Sequence, residues 1–459
     1  MESIQPTRIQ VLQATARNRR GRHVVYWMQQ SQRAHWNHAL EYAVGKANRG
    51  KQPLLVLFVL TDAYPEANAR HYAFMLEGLR EVRDRLADRG IAFRVEGGDP
   101  VREVLTAAAQ ASTLICDRGY LRHQILWRQR LAFEAPCPVV QVESDAVIPI
   151  QTVSAKSEYA ARTIRPKIHR LLPQYLQPVA MRDLKCSDMG LSGSVSCDAL
   201  FSALSVDRSV KPASPLFHGG RKAALARFKK FMTQGLPVYH RQRNHPESDK
   251  TSMMSPYLHF GQISSLEMAL AVEKSDICPE AKSSLLEELI VRRELAMNFA
   301  YYNPDYDRFT GLPQWARRTL AEHSHDTRAP RYTSERLDSA ATHDPYWNAA
   351  MTEMKHTGYM HTYMRMYWGK KILQWSASPQ DAFYLTLKMN NKYFIDGRDP
   401  NAYAGVGWIY GLHDQAWKER PIFGKIRYMA RSGLERKFDM SGYVTRVKRR
   451  VKAIEKAMK

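Results

Sequence analysis

Arg365 lies within residues 361–376, a run without proline in which almost every side chain is large. A guanidinium in such a stripe needs a carboxylate or an acidic ligand if it is buried. Acidic groups follow in residues 390–408, where Asp396 and Asp399 flank Arg398 behind two adjacent amides, Asn390 and Asn391. Read as a helix, the first run sets Trp368 and Trp375 seven residues apart on one face, with a rise of about 10.5 Å between them. Core packing is the commoner use of aromatic and Met stripes. Upstream, Tyr239, Arg243 and the run Lys250-Thr-Ser-Met-Met-Ser255-Pro form a hydroxyl-rich turn leading toward a helix. Hydroxyls and free backbone N–H groups there suit a pyrophosphate, although a plain N-cap uses the same residue types.

Two further stretches bear on chemistry. Glu288 and Arg292 stand i,i+4 on a helix, which alone predicts a surface ion pair worth roughly a few tenths of a kcal/mol. Residues 390–408 show no apolar period and are dense in turn formers (Gly397, Pro400, Gly405 and Gly407). That composition predicts a long polar loop, either solvated at the surface or ordered by a function. His323, His325, His343, His356 and His361 match no familiar metal spacing, and the five cysteines contain no C-x-x-C pair. No metal site and no disulfide framework are expected.

These residues need a scaffold. A chain of 459 residues supports two or three domains. Strand-like apolar runs at 23–28, 53–60, 91–95, 113–116 and 138–142 alternate with helical stretches at about 35–49, 69–89, 100–111 and 121–134. That alternation predicts a Rossmann-like parallel sheet covered on both faces over residues 23–145, without the Gly-x-Gly-x-x-Gly of a common dinucleotide site. Residues 1–22, with Arg17, Arg19, Arg20 and Arg22, read as a frayed basic segment. Residues 146–215 read as an interdomain linker, with a helix over 158–170 that ends or kinks at Pro166. From 216 to 459 strand signals fade and helical patterns dominate, closing with a basic amphipathic stretch at 443–459. The fold class is therefore α/β followed by an all-helical domain. Lys and Arg number 68 against 45 Asp and Glu, a formal net charge of +23. That excess favours a polyanionic partner, nucleic acid before membrane. Without a long apolar run or a signal-peptide pattern, a soluble protein of cytoplasm or nucleus is expected.

The segments Met364-Arg-Met-Tyr-Trp368, Asn390-Asn-Lys-Tyr393, Asp396-Gly-Arg-Asp-Pro-Asn401 and Lys425-Ile-Arg-Tyr-Met429 resemble the class II cyclobutane pyrimidine dimer photolyases. So do Val25-Tyr-Trp-Met28, Glu158-Tyr-Ala-Ala-Arg-Thr-Ile-Arg-Pro166 and Ser255-Pro-Tyr-Leu-His-Phe-Gly261. The ordered set runs from about residue 20 to about residue 440. The resemblance implies light-driven DNA repair by reduced FAD, with a deazaflavin or folate type of antenna chromophore in the first domain as a further possibility of the family. It implies a double-stranded DNA partner carrying a flipped pyrimidine dimer, no membrane, and a monomer. A cryptochrome-like photoreceptor binding FAD without repair is the alternative; Glu288, Met366 and Trp408, with no long tail after residue 459, favour repair.

Residue by residue, the resemblance implies that Tyr239, Thr251, Ser252, Met254 and Ser255 hold the diphosphate and ribityl part of FAD. Arg365 and Asp396 would pair beside the flavin ring, with Asn390 at N5 and Asn391 as runner-up. Glu288 and Met366 would contact the dimer, Glu288 as donor if protonated or as orienter at a thymine carbonyl. Trp347, Trp368 and Trp375 would relay electrons from the surface, in an order left open. Trp408 would pack on the flipped dimer, Gln415 and Trp417 would sit on a hairpin filling the gap, and Arg243 and Arg427 would touch phosphates or the gap. The chain departs from the family at Gln415, where Arg is common, and at Lys250-Thr251 and Met253-Met254, where small or Leu residues are common.

Overall fold

The computed structural model describes residues 4–14, 21–193, 196–212 and 215–457. Arg17, Arg19 and Arg20 lie outside them. The five expected strands form β2 (His23–Trp27), β3 (Leu54–Leu60), β4 (Ala92–Gly97), β5 (Ala111–Asp117) and β6 (Val139–Val142). A sixth, β1 (Ile9–Gln13), completes one sheet of order β1-β6-β5-β2-β3-β4. β2 to β6 pair in parallel and β1 runs antiparallel on the edge. Every residue of β2, β3 and β6 is buried, because helices α1 (His38–Gly50), α2 (Ala69–Ala87), α3 (Pro100–Ala108) and α4 (Arg122–Glu134) cover the sheet. Asn37, Asn68 and Asp99 cap three of these helices through side-chain oxygens.

β1 corrects the expectation of a frayed segment over residues 1–22. Its anchor is Arg8, buried, which donates to the carbonyls of Glu143, Ala146 and Val147 at 3.1, 3.1 and 2.5 Å. The segment 146–215 is also more ordered than a linker, since α5 (Ala161–Tyr175) passes through Pro166 and Pro173 without ending. Pro166 removes the N–H that would bond Arg162, but both residues are exposed, so that carbonyl is left to water. Ile164, Ile168 and Tyr175 bury the opposite face and hold the helix.

The second domain is helical. It contains α6 (Arg221–Gln234), α7 (Ser265–Glu273), α8 (Pro279–Leu286), a π-helical turn at Glu287–Arg292, and α9 (Arg293–Tyr302). It continues with α10 (Pro345–Thr357), α11 (Thr362–Trp375), α12 (Pro379–Tyr393), α13 (Pro400–Ile409) and α14 (Met440–Ala457). The long loop expected over 390–408 is not there. Asn390 and Asn391 end α12, and α13 takes up 400–409, leaving only 394–399 as connection. Pro400 stands at the first position, where a missing N–H costs nothing, and Asp399 caps by accepting from Asn401 N at 2.7 Å. Gly397 permits the tight return: a Cβ there would lie 2.9 Å from both the Asn390 oxygen and the Asn391 Cα. Among the described residues no helix is long and apolar enough to cross a membrane.

The domains lock through the start of α2. Arg70, buried, donates to the carbonyls of Lys211, Tyr393 and Met354 at 2.7, 2.7 and 3.3 Å, and to that of Lys355. Asn68 Nδ2 donates to Lys392 O at 2.7 Å, and His71 Nε2 meets Phe394 O at 3.0 Å. Arg70→Met leaves these carbonyls without their donor. It is expected to lower the unfolding free energy by about 3 kcal/mol or more, read as a lower urea midpoint.

Candidate active site

A cavity of about 350 Å³ opens in the helical domain. Tyr239, Arg243, Thr251, Ser252, Met254, Ser255, Glu288, Arg365, Asp396 and Trp408 all line it. The hydroxyl-rich turn enters through two left-handed residues, Asp249 (φ 54°) and Met253 (φ 51°), and Thr251 Oγ1 hydrogen-bonds Tyr359 OH at 2.8 Å. α14 latches this turn from behind. Arg450 donates to Asp249 and to buried Glu353, both at 2.7 Å, and Arg446 reaches Glu353 at 3.2 Å. Tyr359, Asn244, His259 and Asp399 also line the cavity. None of the four was selected from the sequence, where only Asp399 carried a signal, its place beside Asp396.

Glu288 does not pair with Arg292. Its Oε1 accepts from Arg243 Nη1 at 2.5 Å, while Arg292 Nε donates to Glu287 at 3.1 Å. The π-helical turn explains the exchange, since its i→i+5 repeat brings residues five apart together. Glu288 is thus an acceptor in this structure, and Arg243 is engaged with it inside the cavity.

Arg365 and Asp396 come together as expected, Nη2 lying 3.2 and 3.4 Å from the two carboxylate oxygens. The guanidinium carbon sits 3.7 Å from the centroid of the Phe394 ring. Its Nε is buried with no hydrogen-bond partner among the described residues, a donor left over at the cavity wall. Asn390 and Met366 do not line the cavity. Asn390 is buried behind the wall, its Nδ2 donating to Asn391 Oδ1 at 3.1 Å. Met366 is half-buried against the helical core.

The three tryptophans are buried and adjoin in a definite order. Trp368 lies 6.3 Å from Phe394 between ring centroids, and its carbonyl accepts from Trp347 Nε1 at 3.0 Å. Trp347 lies 5.6 Å from Trp375, so α10 supplies the indole between the two on α11. Trp375 is closed from the surface and meets Tyr332 at 5.3 Å, whose hydroxyl bonds His343 Nδ1 at 2.6 Å. Nothing in the sequence marked Tyr332.

After α13 the chain folds back on itself, with Trp417 N donating to Lys425 O at 2.9 Å. Trp417 is 43% exposed, with the Arg427 guanidinium carbon 5.1 Å from its ring centroid and Gln415 exposed nearby. Lys370 fixes the start of this segment. Buried on α11, its ammonium donates to the carbonyl of Ile409, next to Trp408. Gly369 makes room, because a Cβ there would lie 2.2 Å from Ile409 Cδ1.

A second, smaller cavity of about 90 Å³ lies where β2 and β3 end, the usual ligand position in open parallel sheets. Gln29, Gln32, Tyr64, Trp127 and, from the helical domain, Arg398 are among its walls. Gln29 Oε1, Gln32 Oε1 and the Nε and Nη2 of Arg398 are buried there without partners.

Residues 24–184 match the family model described as DNA photolyase. The chain is 48% identical over 445 residues to a deoxyribodipyrimidine photo-lyase of Methanothermobacter thermautotrophicus, covering 97% of this chain and 99% of that one. It is 40% identical over 477 residues to one of Arabidopsis thaliana, covering 100% and 96%. Its fold is similar to a solved archaeal photolyase from Sulfolobus tokodaii with two FAD molecules, at TM-score 0.71 and 18% identity over 92% of this chain and 89% of that one. It is similar too to a Synechocystis cryptochrome, at TM-score 0.64 and 16% identity over 88% and 84%.

Burial lowers the Lys370 ammonium to about 7, against the pull of Asp414 and with help from Arg427. The unfolded chain keeps this proton up to a pKa of about 10.4. Between those values the folded protein binds fewer protons, so this group's contribution to stability rises with pH. The unfolding free energy of wild type minus that of Lys370→Met is expected to grow from pH 7 to about pH 10.4, measured by urea titration at several pH values.

Proposed function

The chain belongs to the DNA photolyase family, and from that premise we propose that it splits cyclobutane pyrimidine dimers in DNA with FAD held in the larger cavity. The observation that carries the proposal is the gathering in one cavity of the hydroxyl turn, the Arg365–Asp396 pair and Trp408. The residues fit the cofactor. The spare Nε–H of Arg365 asks for an acceptor such as a flavin carbonyl, and Thr251, Ser252 and Ser255 offer hydroxyls to a diphosphate. When bound in its reduced form there, FAD would supply light-driven transfer of one electron to the dimer and its return, a cycle with no net redox change.

The protein's own groups do the rest. Arg365 favours negative charge on the ring through its guanidinium, while Asp396 keeps that guanidinium in place. Glu288 and Arg243 form a polar edge at which the dimer carbonyls are oriented, and Met366 would meet the dimer only with a change of packing. Trp408 presents its indole to the flipped dimer, whose poor stacking and pairing in the duplex lower the cost of flipping. Trp417, with Gln415 beside it, fills the gap in the duplex, and Arg427 faces phosphate. The series Phe394, Trp368, Trp347, Trp375, Tyr332 is the route by which the cofactor is charged. The cavity at the strand ends would hold an antenna chromophore of deazaflavin or folate type, with Arg398 and Gln29 as the polar groups available to it. The enzyme works as a monomer.

Loss of dimers from irradiated DNA in light and not in darkness tests the reading. Persistence of dimers with FAD bound would favour the cryptochrome-like alternative. Trp368→Phe should slow or abolish photoreduction of oxidised FAD, yet chemically prereduced enzyme should still repair. Trp408→Ala should weaken binding to dimer-containing duplex by roughly 1–3 kcal/mol and leave undamaged duplex nearly unaffected. Its salt dependence should stay as in wild type, because phosphate contacts set that slope. Titrations on both DNAs at several salt concentrations check it.

A further inference from the structure

Behind the Arg365–Asp396 pair, three side chains form a directed series across the domain boundary. Asn390 Nδ2 donates to Asn391 Oδ1 at 3.1 Å, and Asn391 Nδ2 donates to the carboxylate of Glu66, on the connection between β3 and α2. Asn391 Oδ1 also accepts from the backbone N of Arg398 at 3.0 Å. A primary amide has two nearly isosteric orientations that exchange its donor and acceptor ends. Here both neighbours of Asn391 accept only one of them. Glu66, when ionised, can only accept, and the Arg398 N–H can only donate. Asn391 must therefore turn its NH₂ toward Glu66 and its oxygen toward Arg398 and Asn390. Asn390, facing an oxygen, must in turn offer its own NH₂, which leaves its Oδ1 outside this series.

We propose that Asn391 is a positioning residue that fixes the polarity of the Asn390 amide, so that the Asn390 oxygen is the atom offered to the cofactor. This rests on the placement of Asn390 beside N5 of FAD that the family resemblance implies; Asn390 itself stands behind the cavity wall. Reduced flavin carries a hydrogen on N5 and oxidised flavin does not, so a fixed acceptor stabilises the reduced form. The N-terminal domain is then a working part of the redox site, because it supplies Glu66 and, through Asn68 and His71, grips the backbone at Lys392 and Phe394. Glu66 is exposed on its outer side, so substitution there spares the core.

The test is the midpoint potential of bound FAD, with visible absorbance reporting occupancy. Asn391→Leu frees the Asn390 amide to turn its NH₂ toward the unprotonated N5 of oxidised flavin, which stabilises the oxidised form. The potential should fall, changing the oxidised-to-reduced ratio about tenfold, or about 30 mV for a two-electron couple. The double variant Asn391→Asp with Glu66→Gln keeps the charge count and the polarity, since the new amide at position 66 donates to the new carboxylate at position 391. It should retain the wild-type potential. Added to Asn390→Ala, Asn391→Leu should have no further effect. The proposal is overturned if Asn391→Leu leaves the potential unchanged, or if the polarity-preserving double variant falls as far. Should Asn391→Leu fail to fold, the double variant against Asn390→Ala decides the matter by the same comparison: a potential as low as that of Asn390→Ala overturns the proposal. Asn390→Ala with normal potential and full FAD occupancy would instead sink the underlying placement of Asn390 at N5.

Discussion

Helix C-termini leave their last carbonyls without partners, and two such ends meet inside this protein. α10 ends at Thr357 and α12 at Tyr393, and the guanidinium of Arg70 enters between them from the other domain. It satisfies carbonyls of both helices and places a cation where the two helix dipoles present their negative ends. Burial lowers this arginine to about 10, so it stays charged at neutral pH without a carboxylate partner. α10 carries Trp347 and α12 carries Asn390 and Asn391. One residue of the sheet domain thus ties together the ends of the helices that carry the middle indole and the two amides, which couples the two domains more tightly than a linker would.

The sheet was legible because buried parallel strands are continuous apolar runs, and each of the five appears within a few residues of its expected limits. β1 was not, since its five residues are half polar and its place depends on Arg8 reaching carbonyls more than 130 positions away. α5 defeats the rule about internal proline because the lost bond faces water. Residues 390–408 mislead for a related reason: Pro400 and Gly407 are turn formers by propensity, yet here Pro400 begins a helix and Gly407 lets it pack closely. A Cβ on Gly407 would lie 2.7 Å from Leu412 Cδ2.

Within the site, residue types were legible and pairings were not. Arg365 needed a carboxylate, and Asp396 supplies it. Glu288 with Arg292 satisfied the arithmetic of an α-helix, but the backbone there has the π repeat and the ions exchange partners. Trp368 and Trp375 share a face as expected, while the indole joining them comes from a different helix. Asn391 and Glu66 are 325 residues apart, a contact to which local periodicity is blind.

The connection 394–399 shows why such contacts matter. Asp396 faces the larger cavity, Arg398 the smaller one, and Asp399 both caps α13 and meets His259 Nδ1 at 3.3 Å. His259 lines both cavities. Six residues thus form a wall in which Asp396 is paired with Arg365, Asp399 meets His259, and Arg398 is left with spare donors among the described residues. A short connection can present opposite charges to two chambers only if its backbone is held rigidly. The grip of Asn68 and His71 on one end and the cap of α13 on the other supply that rigidity. The polar order around the flavin site is in this sense a property of the domain boundary, and a helical domain alone, lacking Glu66, Asn68, Arg70 and His71, would lose it.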